Sequence, residues 1–560
     1  MQTPTVGDRY SPAEIERYYA AECWGTDTLG QLLARQAHER GDKTFITDGT
    51  QSLTYREVHE RSLRLAAGLR ARGVAAGDRV AVQLPNWSEF AVIAAAIARL
   101  GAVLVPIMPI YRRDEVGHVL DDAGVSAVVT ASVVKGFDYL GMYRQLQAER
   151  PALHSVVVVR DDEAATSEGT SDHVVTLGAT TADVDPAAAE AEIGAAVGPD
   201  DPFVIVYTSG TTARPKGCVH TFNTYVSGAR ALAVAFGYRE SDVQFGPSPV
   251  THTTGLVTSI LLPMISGAAT HLMADWEPRR GLEEIARYRC SVSVTATTFI
   301  QMLLDAYDPD RDDASSLRVW VSAGAPIPRA VVERAQALLP DAKILSLYGR
   351  SENLTTTTCT VDDDPERALT SDGAALPHAA VAVVDELGAE VPAGTEGDIA
   401  YRGPTHMLGY LGRPDETADL FTPDGWSRSG DLGVMDADGY VRVTGRTKDI
   451  IIRGGMNISV REIEDLLAAH PGVRNAAVVG MPDERLGERV CCYLVATDPA
   501  GPPTLDDITT YLQGRGVAVQ KTPERLEVVT ELPTTATGKI QKHLLRQDIA
   551  RKVGEPAGVA

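Results

Sequence analysis

Residues 78–130 read DRVAVQLPNWSEFAVIAAAIARLGAVLVPIMPIYRRDEVGHVLDDAGVSAVVT, and this stretch decides the fold class. Three short apolar runs (DRVAVQL, AVLVPI and VSAVVT) alternate with two longer segments of helical periodicity (SEFAVIAAAIARLG and RRDEVGHVLDDAG). Short apolar runs predict buried strands, and the longer periodic segments predict helices. The alternation therefore predicts an α/β fold, in which helices cover layers of parallel strands.

The same alternation continues on both sides of this stretch. Before it, TFIT predicts a strand and TYREVHERSLRLAAGLRARG a helix. After it, PFVIVYTSG, LRVWVSAGAP and KILSLYG each predict a buried strand that ends in a glycine-containing loop. Ligands bind beyond the carboxyl ends of strands in open α/β sheets, so we expect the chemistry in these loops. Residues 163–200 have weak periodicity and are predicted to be a surface excursion or a mobile connection without chemistry.

The pattern of apolar and turn-forming residues changes twice towards the carboxyl end. Beyond Val381, short runs such as AVAVVD and GDIAYRG, separated by Gly, Pro and Asp, predict a β subdomain. After Gly445 the order of predicted strands and helices indicates a compact α+β unit, with a break near Lys448. The sequence therefore predicts a large N-terminal domain of layered α/β subdomains plus a β subdomain, residues 1–447, and a small C-terminal domain, residues 448–560.

Composition excludes several classes of function. The 560 residues carry a formal net charge of −23, so the average surface repels nucleic acid and anionic lipid. An anionic substrate such as ATP would need a local site built from backbone N–H groups and a few cations.

Membrane insertion and export are not expected either. The most apolar stretch, Phe90 to Ile110, is interrupted by Arg99, Gly101 and two prolines, so it is too broken to span a bilayer. The first residues lack the basic end and apolar run of a signal peptide, and the six cysteines are scattered. We therefore expect a cytoplasmic protein with reduced thiols.

The strongest local signal is YTSGTTARPKG, from Tyr207 to Gly217, directly after a predicted strand. Its hydroxyls and backbone N–H groups can surround phosphate oxygens, and Arg214 and Lys216 supply positive charge. It is not a Walker A loop, because no glycine precedes the lysine and no Ser or Thr follows it. A plain glycine-rich turn is the alternative interpretation.

Six motifs occur along the chain in a fixed order: YTSGTTARPKG, AGAP, YGRSE, SGDLG, GRTKDIIIRGG and TATGKI. Together they resemble the AMP-forming superfamily that contains acyl-CoA synthetases, peptide-synthetase adenylation domains and luciferases. The resemblance extends from about Thr28 to Arg546 and is strongest to a stand-alone acyl-CoA ligase. It implies that the small C-terminal domain is mobile.

The resemblance implies a nucleotide site. The loop that holds the β and γ phosphates would contain Thr208, Ser209, Gly210, Thr211, Thr212 and Lys216. The adenine would lie between two segments, formed by Gly324, Ala325 and Pro326 on one side and by Tyr348 and Gly349 on the other. A stacked ring suits such a slot, although packing of Tyr348 in the core is the alternative.

The resemblance also assigns the groups around the reacting phosphate. Ser351 would lie near the α phosphate, and Glu352 would bind Mg²⁺, which prefers carboxylate and phosphate oxygens. Asp431 would accept the ribose hydroxyls, with a turn-stabilising aspartate as the alternative. Arg446 would lie near the ribose and phosphates.

Lys539 in TATGKI is the expected catalytic lysine. A carboxylate that attacks the α phosphorus brings two anions together, and an ammonium between them stabilises the developing charge. An exposed loop lysine is the alternative.

Three residues would serve the second step. The resemblance places Lys448 at the hinge about which the small domain turns. Gly454 and Gly455 would line the tunnel for the pantetheine arm of coenzyme A, because glycine lets a thin chain pass close to the backbone. A turn at the end of a strand is the competing account of the two glycines.

The acid site is predicted from His252, Arg350 and Thr297. His252 matches a family position beside the acyl group, although a lone histidine is more often packed. Arg350 is unusual for the family: it could favour an acid with a second anionic or carbonyl group, or be a surface arginine. Threonines around these positions make the pocket rich in hydroxyls, which favours a small, aromatic or polar acid over a long fatty acid.

The resemblance implies an AMP-forming ligase that uses ATP, Mg²⁺ and coenzyme A. The alternatives are delivery of the acyl group to a carrier protein or an amine, activation of an unusual small acid such as nitrite, and a non-catalytic nucleotide-binding scaffold. The sequence does not decide between a monomer and a homodimer.

Overall fold

The computed structural model describes residues 3–160, 174–181, 184–193, 197–208, 215–324, 327–535 and 538–554. These residues form a large N-terminal domain of layered sheets and a smaller C-terminal domain, as the sequence predicted.

The strands are numbered in chain order. They are β1 Thr44–Thr47, β2 Ser52–Thr54, β3 Arg79–Gln83, β4 Val103–Pro106, β5 Ala127–Ala131, β6 Val133–Val134, β7 Phe137–Asp138, β8 Ser155–Val159, β9 Val174–Thr176, β10 Pro202–Tyr207, β11 Gly217–Thr221, β12 Val243–Gly246, β13 Ala269–Leu272, β14 Val292–Ala296, β15 Val319–Ala323, β16 Lys343–Tyr348, β17 Thr357–Thr358, β18 Ala374–Ala375, β19 Ala380–Val384, β20 Glu396–Arg402, β21 Gly409–Tyr410, β22 Ser427–Met435, β23 Val441–Arg446, β24 Ile451–Arg453, β25 Met456–Ile458, β26 Val473–Asp483, β27 Gly487–Ala496 and β28 Arg525–Val528.

The helices are numbered in the same way. They are α1 Val6–Arg9, α2 Pro12–Ala20, α3 Leu29–Arg40, α4 Tyr55–Ala71, α5 Glu89–Arg99, α6 Arg113–Ala123, α7 Tyr139–Glu149, α8 Leu177–Thr181, α9 Pro186–Ile193, α10 Phe222–Ala235, α11 Thr253–Gly255, α12 Leu262–Ser266, α13 Pro278–Tyr288, α14 Thr297–Ala306, α15 Arg329–Leu338, α16 Glu366–Thr370, α17 Pro414–Ala418, α18 Val460–Leu467, α19 Leu505–Gly514 and α20 Lys542–Gly554. A π-helical segment, Leu256–Leu261, precedes α12, and 3₁₀ turns cover Thr447–Asp449 and Val519–Lys521.

Two large sheets form the centre of the N-terminal domain. The first has the strand order β18-β17-β16-β15-β14-β12-β13-β1-β2, and the second the order β21-β11-β10-β4-β3-β5-β8-β9. The central pairs of both sheets are parallel, for example β14 with β15 and β3 with β4. This confirms the parallel α/β layers predicted from residues 78–130.

Residues 163–200 differ from the prediction where the structure describes them. β9 adds to the second sheet beside β8, and α8 packs against α4 so closely that a Cβ on Gly68 would overlap the backbone of Thr180. The expectation of a loose excursion was wrong for these pieces. They are short, and α9 buries only Ala189 of its described side chains, so their periodicity is too weak to detect.

The carboxyl-terminal third contains two smaller sheets. β19-β20-β22-β23 form the antiparallel β subdomain, and β25-β24-β27-β26, with β28 beside β27, form the sheet of the C-terminal domain. That last sheet packs with α18 and α19 around its own hydrophobic core, which includes Ile463, Val478 and Ile508.

The C-terminal domain also contacts the rest of the chain through a buried arginine. Arg461 of α18 bonds to the carbonyl of Val443, and its Nη1 lies 3.4 Å from Asp372 Oδ2.

The apolar stretch from Phe90 to Ile110 forms the buried helix α5 followed by the buried strand β4. Among the described residues, no helix has the length and apolar character needed to cross a membrane.

Candidate active site

A cavity of about 70 Å³ lies where β12, β14, β15 and β16 end, which is the edge at which the sequence predicts the chemistry. It is lined by Ser248, Pro249, His252, Thr253, Thr254, Ala296, Ala323, Gly324, Leu347, Gly349, Arg350, Ser351, Leu354 and Lys539. A larger cavity, of about 270 Å³, lies at the opposite end of β16, and none of the predicted site residues lines it.

Lys539 comes to this cavity from the C-terminal domain. A Cβ added to Gly324 would lie only 2.9 Å from Lys539 Cε, so the lysine side chain runs directly over this glycine. Gly324 also has a φ of +78°, a conformation that favours glycine. The sequence predicted both residues for the site, and the structure brings them together although they are far apart in the chain.

The segment that carries Lys539 is a tight turn. The Thr535 N–H donates to the Lys539 carbonyl at 2.7 Å, and the Lys539 N–H donates to Thr535 Oγ1 at 3.1 Å. Gly538, with a φ of +79°, lies so close to Thr298 that an added Cβ would overlap the threonine hydroxyl. The turn therefore packs tightly against the start of α14.

The charge of Lys539 depends on its neighbours. Burial and the nearby cation of Arg446 lower the pKa of Lys539 to about 8, while the carboxylates of Asp431 and Glu352 oppose this shift. The side chain is thus a cation at neutral pH, but one that loses its proton more easily than an exposed lysine.

Glu352 is held by side-chain and backbone partners. The Tyr410 hydroxyl donates to Glu352 Oε1 at 2.7 Å, Arg350 Nε lies 3.4 Å from Oε2, and the Met407 N–H donates to the Glu352 carbonyl. Burial opposes ionisation, yet Arg350 and Tyr410 outweigh it and keep the pKa of Glu352 below its usual value. Glu352 is therefore an ionised carboxylate with a fixed orientation.

Ser351, next to it, is fixed through its backbone. His220 of β11 donates from Nε2 to the Ser351 carbonyl at 2.8 Å, and its Nδ1 lies 3.1 Å from Thr224 Oγ1. Burial lowers the pKa of His220 to about 4, so the ring is neutral. The sequence analysis missed both His220 and Tyr410.

Asp431 lies opposite Arg446 in the register of β22 and β23. Arg446 Nε is 2.8 Å from Asp431 Oδ1, and the Tyr348 hydroxyl donates to Oδ2 at 2.6 Å. These contacts link the predicted adenine and ribose residues into one group. The hydroxyl thus fixes the Tyr348 ring relative to Asp431.

Of the predicted phosphate loop, Thr208 and Lys216 are described, whereas Ser209, Gly210, Thr211 and Thr212 lie outside the described residues, as do Ala325 and Pro326. Thr208 and Lys216 close the loop, because the Thr208 N–H donates to the Lys216 carbonyl at 2.9 Å. Lys216 Nζ lies 2.5 Å from Glu416 and 4.6 Å from the centre of the Tyr410 ring.

The three residues predicted for the acid have different surroundings. His252 lines the cavity; its Nδ1 accepts from the Thr254 N–H at 3.3 Å, and burial together with Lys539 lowers its pKa to about 3. Arg350 also lines the cavity, but its Nη1 donates to the Arg428 carbonyl at 2.8 Å. Thr297 is buried 2.7 Å from the Ser322 hydroxyl and does not line the cavity, whereas its neighbour Ala296 does.

The predicted hinge and tunnel residues are not among those that line the cavity. Lys448 occupies the 3₁₀ turn after β23. Gly454 and Gly455 form the exposed two-residue turn between β24 and β25, with φ values of +56° and +85°. Positive φ at both positions is what such a hairpin turn requires. In this structure the two glycines are turn residues and do not line the cavity.

Comparisons with known proteins show the family of the chain. The AMP-binding enzyme family matches residues 33–411, and the AMP-binding enzyme C-terminal domain matches residues 462–539. The medium-chain fatty-acid–CoA ligase of Escherichia coli K12 is 35% identical over 533 residues, which cover 95% of this chain and 92% of that protein. The 2,3-dihydroxybenzoate-AMP ligase of Bacillus subtilis is 31% identical over 546 residues, 97% of each chain.

A solved structure is similar over the whole length. The structure of the anthranilate CoA ligase AuaEII in complex with anthranoyl-AMP has a TM-score of 0.83 against this chain, with 26% sequence identity. The match covers 95% of this chain and 98% of that one. The chain therefore belongs to the AMP-binding enzyme family of adenylate-forming ligases.

Proposed function

We propose that this protein is an AMP-forming acid:thiol ligase. It activates a carboxylic acid with ATP to an acyl adenylate, releases pyrophosphate, and transfers the acyl group to the thiol of coenzyme A. The observation that carries the proposal is the position of Lys539, which lies over Gly324 in a cavity shared with Ser351 and His252.

In the first step a carboxylate oxygen attacks the α phosphorus of ATP. A bond from that oxygen to phosphorus forms, the bond from the α phosphorus to the bridging oxygen breaks, and pyrophosphate leaves. The Lys539 ammonium lies where it can offset the negative charge that builds up between the two anions. Asp431 and Tyr348 hold the nucleoside, and Lys216 with the loop after Thr208 holds the leaving phosphates.

The residues fit a divalent cation bound together with the nucleotide. Among the described residues, no group of three or more His, Cys, Asp or Glu side chains could hold a metal ion by itself. Mg²⁺ is commonly bound by one or two carboxylates plus substrate phosphates, and Glu352 is an ionised carboxylate beside the cavity. Glu352 would hold Mg²⁺, which would supply positive charge to the phosphates.

In the second step the thiol sulfur attacks the acyl carbon, and the bond from that carbon to the AMP oxygen breaks. We place the domain boundary between residues 447 and 448, with Lys448 as the hinge about which the mobile C-terminal domain turns. Such a turn would remove Lys539 from the cavity and would bring Gly454 and Gly455 to the path of the thiol arm. Their exposed, Cβ-free turn is suited to a thin chain passing close to the backbone.

The cavity supports a small, aromatic or polar acid. Its wall contains Ser248, Thr253 and Thr254 besides the neutral His252, and it has little volume for a long alkyl chain. The charge of Arg350 is paired with Glu352, so a second anionic group on the acid is not required for its neutralisation.

A carrier protein is the second candidate acceptor. Similarity over 97% of both chains to a 2,3-dihydroxybenzoate-AMP ligase leaves room for this acceptor, because that name gives the adenylate as the product and does not mention coenzyme A. All six cysteines are free thiols, which is consistent with either reaction in the reducing cytoplasm.

The test is ATP–pyrophosphate exchange with a panel of aliphatic, aromatic and hydroxylated acids, followed by AMP release with and without coenzyme A. The proposal predicts exchange with at least one small or aromatic acid and AMP release that depends on coenzyme A. Acyl adenylate that persists with coenzyme A but is consumed by a phosphopantetheinyl carrier protein would favour the second candidate. Absence of exchange with every acid would contradict both.

A further inference from the structure

Tyr410 lies beside the strand that leaves the predicted phosphate loop. Its strand, β21, pairs with β11, where Tyr410 is opposite Cys218, and the Leu411 N–H donates to the Gly217 carbonyl at 2.8 Å. Because β11 begins directly after Lys216, the backbone around Tyr410 is fixed to the end of that loop. Tyr410 itself is 6% exposed, so its side chain has little freedom.

The side chain of Tyr410 makes two contacts of different chemistry. Its hydroxyl donates to Glu352 Oε1 at 2.7 Å, and the centre of its ring lies 4.6 Å from Lys216 Nζ. The first contact is a hydrogen bond to a charged acceptor, and the second is a cation–π contact. One rigid residue thus touches both the carboxylate proposed to bind Mg²⁺ and the lysine proposed to bind phosphate.

We propose that Tyr410 is a positioning residue that sets Glu352 through its hydroxyl and Lys216 through its ring, so that both face the triphosphate of one nucleotide. This inference rests on the proposed nucleotide site. It assigns separate tasks to the two parts of one side chain, and these tasks can be separated by mutation.

The competing partners of the two residues explain why a positioning residue is needed. Glu352 Oε2 lies 3.4 Å from Arg350 Nε, so a carboxylate that lost its Tyr410 bond would be drawn to the arginine alone. Lys216 Nζ lies 2.5 Å from Glu416 while it contacts the ring, so loss of the ring would leave the contact with Glu416 and remove the one that joins Lys216 to the side of the site where Glu352 lies. Tyr410 therefore gives Glu352 and Lys216 a common contact besides their separate ion pairs with Arg350 and Glu416.

The experiment compares Tyr410→Phe, which removes only the hydroxyl, with Tyr410→Leu, which also removes the ring. Tyr55→Phe is the matched control: Tyr55 is also buried and donates its hydroxyl to a backbone carbonyl, that of Ala268, at 2.7 Å, outside the site. The readout is the dissociation constant of a non-hydrolysable ATP analogue, measured by calorimetry in Mg²⁺ and again in EDTA. Thermal unfolding verifies that each variant is folded.

We expect Tyr410→Phe to bind the analogue about tenfold more weakly in Mg²⁺ and to match the wild type in EDTA. Tyr410→Leu should lose a further factor of about three, and that loss should persist in EDTA. A merely structural role of the hydroxyl would weaken binding of Tyr410→Phe equally in both buffers, and equal affinities of Tyr410→Leu and Tyr410→Phe would refute the role of the ring.

Two further results would overturn the inference. Wild-type affinity of Tyr410→Phe in Mg²⁺ would refute the role of the hydroxyl while leaving the proposed function intact. A wild-type protein that binds no ATP analogue in either buffer would refute the proposed function and this inference together.

Discussion

The Arg350–Glu352 segment and Lys539 lie at the same cavity, but different kinds of contact hold them there. Glu352 is held through its carboxylate by Tyr410 and Arg350 and through its carbonyl by Met407. Lys539 lies in a turn shaped by Thr535, and that turn meets the large domain by close packing at Gly324 and Gly538.

On the proposed function, Glu352 belongs to a half of the site that is built into the large domain, and Lys539 belongs to a half that the C-terminal domain delivers. The hydrogen bonds and the ion pair that hold Glu352 come from Tyr410, Arg350 and Met407, which all belong to the large domain. Gly324 and Gly538 have no Cβ, so the Lys539 turn and the large domain can approach closely there through van der Waals packing. Changes at Lys539 should therefore affect one half-reaction, whereas changes around Glu352 should affect nucleotide binding itself.

Removal of the Lys539 ammonium should have the largest effect. Lys539→Ala is expected to slow acyl-adenylate formation by a factor of about a thousand, because the charge between the two reacting anions is lost. Thiol transfer from preformed acyl adenylate should stay within about threefold of wild type, since Lys539 is delivered only for the first step. Single-turnover assays of each half-reaction measure the two rates.

Lys521→Ala is the control for this variant, because Lys521 lies in the same domain and pairs with Glu462 at the surface. It should leave both half-reactions unchanged. Equal losses of both half-reactions in Lys539→Ala would contradict delivery for one step.

Close packing of the Lys539 turn can be tested at Gly538. Gly538→Ala adds a Cβ that overlaps the Thr298 hydroxyl, so it should slow adenylation by a factor of about ten to a hundred. Gly516→Ala is the control, since Gly516 has a similar φ of +89° but open space around its Cβ position. Thr298→Ala should restore part of the rate to Gly538→Ala; a rate that is unaffected by the second change would argue against this contact.

The pH profile should show the lowered pKa of Lys539. Burial and Arg446 lower that pKa to about 8, so the ammonium is present below this pH and is lost above it. We expect kcat/KM for ATP in the adenylation assay to fall about tenfold per pH unit above pH ~8.

Lys539→Arg should be slower at all pH values but should lack this fall, because a guanidinium stays protonated. An identical alkaline fall in both proteins would assign the titration to another group.

Thr297 should give the smallest effect. It lies next to Thr298 but faces Ser322, within the large domain, at 2.7 Å. Thr297→Val is expected to lower the free energy of unfolding by about 1 kcal/mol and to leave KM for the acid within about twofold. A large rise in KM for the acid would indicate that Thr297 contacts the acid, as the sequence predicted, and would contradict a purely structural role for this residue.

The sequence predicted the layers of the fold because their signal is local. The apolar runs that became β3, β4 and β5, and the periodic segments that became α4 and α5, each carry their own pattern. The same analysis failed at β9 and α8, which are too short for a pattern and form through contacts with β8 and α4.

The candidate site was predictable where motifs carry it and not elsewhere. Lys539, Glu352 and Asp431 lie in recognisable motifs, and the structure brings them near one cavity. The roles of Tyr410 and His220 were not predicted, because their partners Glu352 and Ser351 lie 58 and 131 residues away in the chain. The only local signal was a histidine on a buried strand after the phosphate loop, which is more often a packing residue.

The central claim is that Lys539, together with the residues around Glu352 in the large domain, directs a carboxylate to the α phosphorus of ATP. The most direct measurement uses an acid labelled with oxygen-18 in its carboxylate, followed by mass spectrometry of the products after thiol transfer. Attack at the α phosphorus predicts one labelled oxygen in AMP and none in pyrophosphate, because the attacking oxygen stays on the α phosphorus when the acyl carbon leaves. Label in inorganic phosphate, with ADP as the nucleotide product, would instead show attack at the γ phosphorus and would refute acyl-adenylate formation.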